Sequence, residues 1–160
     1  MEERLIYNLV DLEQFAKALL AKLNSKQLLL ISGPLGVGKT QLVQFLLNEL
    51  NVPKNQISSP TFSLHHTYDS KQLHKDTTIH HLDLYRLLNE EEFESTGLWD
   101  LFLEPTSTPV KGESPRESLI IIEWAEKLPT HFWPKNWNQI KIIMDFINDS
   151  GTEIRTLQIE

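Results

Sequence analysis

Apolar residues recur with two different spacings along this 160-residue chain, and the spacings predict which segments are helices and which are strands. Over residues 12–23 they lie three or four positions apart, which is typical of an amphipathic helix, and Asp11 is a candidate N-cap. The same spacing predicts a second helix over 39–50. Two short apolar runs, at 27–31 and 119–122, instead predict strands that are buried on both faces.

The rest of the chain predicts further short elements. Strands are expected at 63–68 and 79–83, and a short acidic helix near 89–94. Alternating apolar and polar residues at 140–147 and 153–159 predict a closing antiparallel strand pair. Strands that are separated by helical crossovers indicate an α/β fold with a layered sheet.

One segment has the composition of a phosphate-binding loop. Residues 33–40 read GPLGVGKT, which fits G-x-x-x-x-G-K-[ST], between a predicted strand and a predicted helix. Glycines let successive backbone N–H groups turn toward an anion, and the helix start adds partial positive charge. Lys39 would reach the β- and γ-phosphates, and the Thr40 hydroxyl is a hard ligand for Mg²⁺. The predicted nucleotide-binding residues of this segment are Gly33, Leu35, Gly36, Val37, Gly38, Lys39, Thr40 and Gln41.

The loop also sharpens the prediction of fold and nucleotide. No N-K-x-D or D-x-x-G sequence of a GTP-binding protein occurs in the chain, which favours ATP. We predict one P-loop NTPase-like domain over residues 1–160, with three layers, a mainly parallel central sheet and the C-terminal antiparallel pair. The Pro/Ser/Thr-rich segment 104–118 is predicted to be a flexible loop.

Two acidic residues are candidates for the metal and the attacking water. Glu123 ends the apolar run 119–122, and ligands of open α/β sheets bind beyond the carboxyl ends of strands. It could hold Mg²⁺ or orient water. Asp83 lies on one strand face with His81, but from composition alone a structural role fits it equally well. Trp124 could stack on adenine or pack in the core, and core packing is the simpler interpretation.

Composition excludes several other functions. Lys+Arg is 15 and Asp+Glu is 22, so the net charge is 15 − 22 = −7, which disfavours direct binding of a nucleic acid backbone. The chain has no cysteine for disulfides or thiolate metal sites, and its adjacent histidine pairs lack the helical spacing of a zinc site. Acidic residues near the start and short apolar runs predict neither a secretory signal nor a membrane span, so we expect a cytoplasmic protein.

Four segments, in this order, resemble the TsaE (YjeE) family of bacterial P-loop ATPases. They are the loop at 33–40, SPTF at 59–62, HLDLYRL at 81–87 and IEW at 122–124. The loop alone is generic, and the combination carries the resemblance. It implies a part in threonylcarbamoyladenosine modification of tRNA. It also implies partners, a TsaD-like threonylcarbamoyl transferase and a TsaB-like subunit, which would hold the tRNA so that this chain meets it only indirectly.

The resemblance assigns roles to matching positions. Lys39 and Thr40 would bind phosphate and Mg²⁺, and Thr61 resembles a switch-like threonine near the γ-phosphate. Asp83 and Glu123 resemble the two acids around the metal and the water. The implied catalytic residues are thus Lys39, Asp83 and Glu123, and the implied metal ligands are Thr40, Asp83 and Glu123.

Two further residues match the family, and two other features depart from it. Trp124 resembles a tryptophan near the adenine, and Arg86 matches the family pattern, where it would meet phosphate or pair with an acid such as Glu90. Pro34 stands where the family usually has an acidic residue, and the segment 104–118 is longer than the family leads us to expect.

The expected activity is slow ATP hydrolysis that is stimulated by the partners and resets their assembly between rounds. Two alternatives stay open. A small-molecule P-loop kinase would need an acceptor lid rich in arginine, and arginine is scarce here. An ATP-dependent scaffold would need nucleotide binding without turnover.

Overall fold

The computed structural model describes residues 4–24, 26–73, 76–103, 117–149 and 152–160, and every statement below concerns those residues. Seven strands in these ranges form one sheet in the order β1-β7-β6-β2-β5-β4-β3. The elements are β1 (Arg4–Ile6), α1 (Leu9–Leu20), β2 (Gln27–Ser32), α2 (Lys39–Glu49), β3 (His65–Ser70), β4 (Thr77–Asp83), α3 (Glu90–Ser95), β5 (Glu117–Glu123), β6 (Asn138–Asp149) and β7 (Thr152–Ile159), with 3₁₀ turns at Leu98–Phe102, Ala125–Lys127 and Thr130–Phe132.

The sheet is mixed. Its four central strands, β6, β2, β5 and β4, run parallel to one another. The pairings of β3 with β4, of β6 with β7 and of β1 with β7 are antiparallel. The prediction of a mainly parallel sheet therefore describes the centre but not the margins. Short connections favour the antiparallel pairs β3–β4 and β6–β7, because a parallel neighbour needs a long crossover. They do not explain the pair β1–β7, whose strands are far apart along the chain. The predicted C-terminal antiparallel pair is confirmed as β6 and β7.

Helical segments cover both faces of the sheet, which gives the three layers that the sequence predicts. On one face, apolar residues of α1 and α2 pack against Leu29 and Ile31 of β2. On the other face, α3 and the 3₁₀ turns pack against Leu28 and Leu30 of the same strand. Because neighbouring residues of β2 face opposite layers, its central residues 28–31 are apolar without interruption.

The first helix begins earlier than expected, and Asp11 is not its N-cap. The cap is Asn8, whose Oδ1 accepts hydrogen bonds from the N–H groups of Val10 (2.8 Å) and Asp11 (3.1 Å). The Asp11 carboxylate in turn accepts from the Asn8 N–H at 2.9 Å. This reciprocal capping box starts the helix at Leu9, three residues before the predicted start at residue 12, which the apolar spacing alone does not reveal.

Several strands also differ from their predicted bounds, among them β3 and β5. β3 begins at His65 rather than residue 63, because Leu64 has φ 65° and its N–H bonds back to Pro60 O in a turn. β5 begins at Glu117, inside the predicted flexible loop. The remainder of that loop, 104–116, lies outside the described residues.

β1, which pairs with β7, was not predicted. It has only three residues, too few for a recognisable pattern. Across the described ranges, no helix combines the length and the apolar character that crossing a bilayer requires.

Two histidines stack between β3 and β4. The rings of His65 and His80 lie 5.2 Å apart, and His65 Nε2 is 3.1 Å from His80 Nδ1. One nitrogen must donate and the other accept, so the contact requires at least one ring to be neutral. Burial, followed by the charge of His65, lowers the pKa of His80 to about 4.

This pair predicts a pH-dependent stability. Between pH 6.5 and about 4 the unfolded chain binds more protons at residue 80 than the folded chain, so the free energy of unfolding falls as pH drops through that window. Urea unfolding at pH 7.5 and pH 5 should show a smaller loss for His80→Asn than for the wild type. Equal losses in the two proteins would contradict the assignment.

Candidate nucleotide and metal site

The loop 33–40 joins the end of β2 to the start of α2. Its three glycines have positive φ angles, 141° at Gly33, 79° at Gly36 and 118° at Gly38, a region that residues with side chains rarely adopt. Gly38 directly precedes α2, and its carbonyl accepts the first helical hydrogen bond, from Leu42 N at 2.9 Å. The backbone N–H groups of the first turn of α2 therefore lie at the loop.

Neighbouring elements hold this loop in place. A β-carbon at Gly33 would lie 2.1 Å from the backbone oxygen of Met144 on β6, so only glycine fits. The Tyr7 hydroxyl donates to Val37 O at 2.6 Å in the interior. The Val37 side chain is fully buried, so it could offer a ligand only its backbone, whereas the Leu35 side chain is exposed.

The Lys39 side chain is buried against the backbone of the loop 33–40. Its Nζ donates to the carbonyl oxygens of Gly33 (2.5 Å) and Pro34 (2.8 Å), and it lies 3.5 Å from the centroid of the Trp124 ring. Burial lowers the pKa of the ammonium group, against the raising effect of nearby carboxylates, of which Glu126 is the strongest. The charge is therefore held at the loop by carbonyl dipoles and an aromatic face.

Two hydroxyl–carboxylate pairs lie at the carboxyl ends of adjacent strands. Thr40 Oγ1 donates to Glu123 Oε2 at 2.6 Å, and Thr61 Oγ1 donates to Asp83 Oδ2 at 2.5 Å. Asp83 and Glu123 face each other in the register of β4 and β5, and both are buried. Glu123 is also opposite Ile31 at the end of β2, one residue before Ser32 and the loop. The fold thus gathers the sequence-predicted acids and threonines beside the loop.

The donor set fits a magnesium ion. A hydroxyl that donates its proton to a carboxylate keeps its lone pairs for a cation, and Thr40, Asp83 and Glu123 offer only hard oxygen atoms. Within the described ranges, no three or more His, Asp or Glu side chains form a group that could hold a metal by themselves. That is typical of Mg²⁺ sites, where one or two carboxylates act with phosphate oxygens and water.

Trp124 lies at the site rather than deep in the core. It adopts a left-handed conformation, φ 61° and ψ 39°, directly after Glu123, and its side chain is only partly buried. Its ring contacts the Lys39 ammonium, and the centroids of the Trp124 and Tyr85 rings lie 5.1 Å apart. Gln41 lies in the first turn of α2. The nucleotide-binding roles of both residues stay predictions.

A family model described as "Threonylcarbamoyl adenosine biosynthesis protein TsaE" matches residues 6–153, nearly the whole chain. The chain belongs to the TsaE family.

Individual relatives agree with the family match. A protein of Rickettsia bellii is 35% identical over 116 residues, which are 72% of this chain and 69% of the relative. One from Haemophilus influenzae is 33% identical over 117 residues (72% and 63%), and one from Synechocystis 33% over 119 residues (73% and 66%). All three are named tRNA threonylcarbamoyladenosine biosynthesis protein TsaE. In the last two, the match spans less than two thirds of the relative.

A solved structure supports the fold alone. The crystal structure of Bacillus subtilis YdiB superposes with a TM-score of 0.62, over 99% of this chain and 86% of that one. The two sequences are 20% identical, so the likeness concerns the arrangement of the elements and not the chemistry.

Two further residues of this TsaE-family chain contact the site. His81 Nε2 lies 2.8 Å from Glu123 Oε1, and the Glu126 carboxylate accepts from the Gly33 N–H at 3.3 Å. The strand alternation that places His81 on the face of Asp83 could have identified the histidine. No sequence pattern identifies Glu126, because a 3₁₀ turn after β5 brings it to the loop.

Arg86 contacts an aromatic ring in the described part of the chain, and its expected contact with phosphate stays a prediction. Its guanidinium lies 4.5 Å from the centroid of the Phe62 ring, which is 81% exposed. The contact links the SPTF segment to the HLDLYRL segment of this TsaE-family chain.

The glycines of the loop predict unequal costs of substitution. Gly33→Ala should lower the free energy of unfolding by about 3 kcal/mol or more, because positive φ and the clash with Met144 O add up. Gly36→Ala is the matched control, since nothing lies within 4 Å of the added carbon, and should cost about 1 kcal/mol. Urea unfolding measures both, and equal losses would contradict the close approach at Gly33.

Proposed function

We propose that this chain binds ATP and Mg²⁺ at the loop 33–40 and hydrolyses the ATP in support of tRNA threonylcarbamoyladenosine biosynthesis. The observation that carries the proposal is the gathering of Lys39 with the Thr40–Glu123 and Thr61–Asp83 pairs at one edge of the sheet. Phosphoryl transfer depends mainly on positioning and on stabilising charge, and this set supplies both.

The phosphates would be bound by the loop. Backbone N–H groups at the start of α2 attract anions, and the Lys39 ammonium adds a full positive charge. When bound, Mg²⁺ would neutralise phosphate charge and polarise the transferred group. Thr40, Asp83 and Glu123 are the residues that would hold it.

The two buried carboxylates would divide the remaining work. Both oxygens of Asp83 are engaged, Oδ2 by Thr61 and Oδ1 by the Tyr85 N–H at 2.9 Å. This links the SPTF segment to the strand end, so Thr61 can respond to the γ-phosphate. Glu123 is the better candidate for orienting the attacking water, since it is next to Thr40 at the start of α2.

Partners complete the proposal. The relatives are named for tRNA threonylcarbamoyladenosine biosynthesis, and a chain of net charge −7 is poorly suited to hold tRNA alone. We therefore propose that it acts with a TsaD-like transferase and a TsaB-like subunit, which bind the tRNA and stimulate hydrolysis. Trp124, beside Lys39, would contact the adenine.

Lys39→Ala should weaken ATP binding by about 30-fold or more, because a charge-assisted contact is removed from a largely buried position. Titration calorimetry with ATP and Mg²⁺ measures the affinity. Lys17→Ala, on the exposed part of α1, is the matched control and should bind like the wild type. Unchanged affinity in Lys39→Ala would refute the loop as the phosphate site.

Glu123→Gln should retain ATP binding but lower the rate of hydrolysis by about 10²–10³-fold, since one electrostatic element of the transition state is lost. The rate is measured as released phosphate with the TsaB–TsaD-like pair present. Glu13→Gln, on the exposed surface of α1, is the control and should keep the full rate. A wild-type rate in Glu123→Gln would contradict this role.

The same assays separate the alternatives. Phosphate that appears on an added metabolite, rather than free in solution, would indicate a kinase. Repeated rounds of tRNA modification with a non-hydrolysable ATP analogue would indicate a scaffold.

A further inference from the structure

A buried histidine contacts the carboxylate on which the proposed hydrolysis depends. His81 lies on β4, two residues before Asp83, and its Nε2 is 2.8 Å from Glu123 Oε1. The side chains of His81 and Glu123 are each 1% exposed. Carboxylate oxygens accept hydrogen bonds, so Nε2 donates. Water does not compete for this contact, because both side chains are in the interior.

The contact leaves the carboxylate little freedom to rotate. The terminal torsion of a glutamate is broad, so a single partner does not determine which oxygen faces which neighbour. Here each oxygen has its own donor, His81 on Oε1 and Thr40 on Oε2. The donors come from different elements, β4 and the start of α2. The two hydrogen bonds therefore fix the plane of the carboxylate relative to the loop.

The Glu123 carboxylate is the hydrogen-bond partner of the His81 ring among the described residues. The other ring nitrogen, Nδ1, is buried without a hydrogen-bond partner among the described residues, and an unsatisfied buried polar atom costs free energy. Ile79, two residues earlier on the same face of β4, is apolar and fully buried, so an aliphatic side chain is compatible with this face of the strand. A leucine at position 81 would avoid the cost at Nδ1, but it would leave the buried Oε1 of Glu123 without its donor. The histidine is therefore explained by the hydrogen bond that it gives to the Glu123 carboxylate.

We infer that His81 is a positioning residue for Glu123. It donates from Nε2 to Oε1 and so keeps Oε2 directed at Thr40, where the metal and the attacking water of the proposed reaction would be. The inference rests on the proposed ATP hydrolysis, although the contact itself does not. His81 touches neither nucleotide nor metal in this account and acts through Glu123.

The kinetic test uses two variants and one control. His81→Leu removes the donor and should lower the hydrolysis rate by about 10–100-fold, as loss of a ligand-orienting partner does, with ATP affinity unchanged within about threefold. His81→Gln keeps an N–H donor at similar reach and should recover most of the rate. His80→Leu is the matched control, since His80 is the neighbouring residue on β4 and bonds His65 instead of Glu123. It should keep the wild-type rate.

A second readout needs no ATP. Long-range ¹H–¹⁵N spectra of the histidine rings in the unliganded protein should show His81 with the proton on Nε2, and Glu123→Leu should shift that nitrogen while His80→Leu should not. If the wild type does not hydrolyse ATP, the proposed function fails while the spectra still test the contact. If His81→Leu does not fold, His81→Gln and the spectra decide.

Three results would overturn the inference. One is a His81 proton on Nδ1, and another is a His81→Leu rate equal to that of the wild type. The third is a His81→Gln variant that folds and binds ATP but loses as much rate as His81→Leu.

Discussion

The hydrogen bond from the Thr40 hydroxyl to the Glu123 carboxylate ties the first turn of α2 to the carboxyl end of β5. Thr40 and Glu123 are 83 positions apart along the chain, so only the tertiary fold brings them together. The bond forms only if β2 and β5 are parallel neighbours, so that the loop after β2 and the acid that ends β5 reach the same edge of the sheet. The same strand arrangement places Asp83, at the end of β4, beside Glu123.

Local chemistry was the most predictable part of the site. The glycine spacing, Lys39 and Thr40 identify the loop from residue types alone, and the run 119–122 with Glu123 at its end identifies the second strand. Both readings depend on interactions within a few residues. The loop glycines have positive φ and the run is fully buried, as those patterns require.

Contacts between distant segments were beyond such patterns. The pair His81–Glu123 depends on the register of β4 with β5. The pair Thr61–Asp83 depends on the turn before β3, which lies against the end of β4, and Glu126 reaches Gly33 through a 3₁₀ turn. The capping box at Asn8 was missed because Asp11 satisfies the same rule of composition. The antiparallel pairs β3–β4 and β6–β7 follow from short connections between consecutive strands, which a count of apolar runs does not weigh.

The central proposal is that a single edge of the sheet binds a triphosphate and its magnesium ion. A crystal structure of the chain grown with Mg²⁺ and a non-hydrolysable ATP analogue tests it most directly. We expect phosphate oxygens within hydrogen-bond distance of the N–H groups that begin α2, and Thr40 Oγ1 among the ligands or near neighbours of the cation. An analogue bound elsewhere on the surface, with no phosphate oxygen in contact with the loop 33–40 or with the Lys39 ammonium, would contradict it.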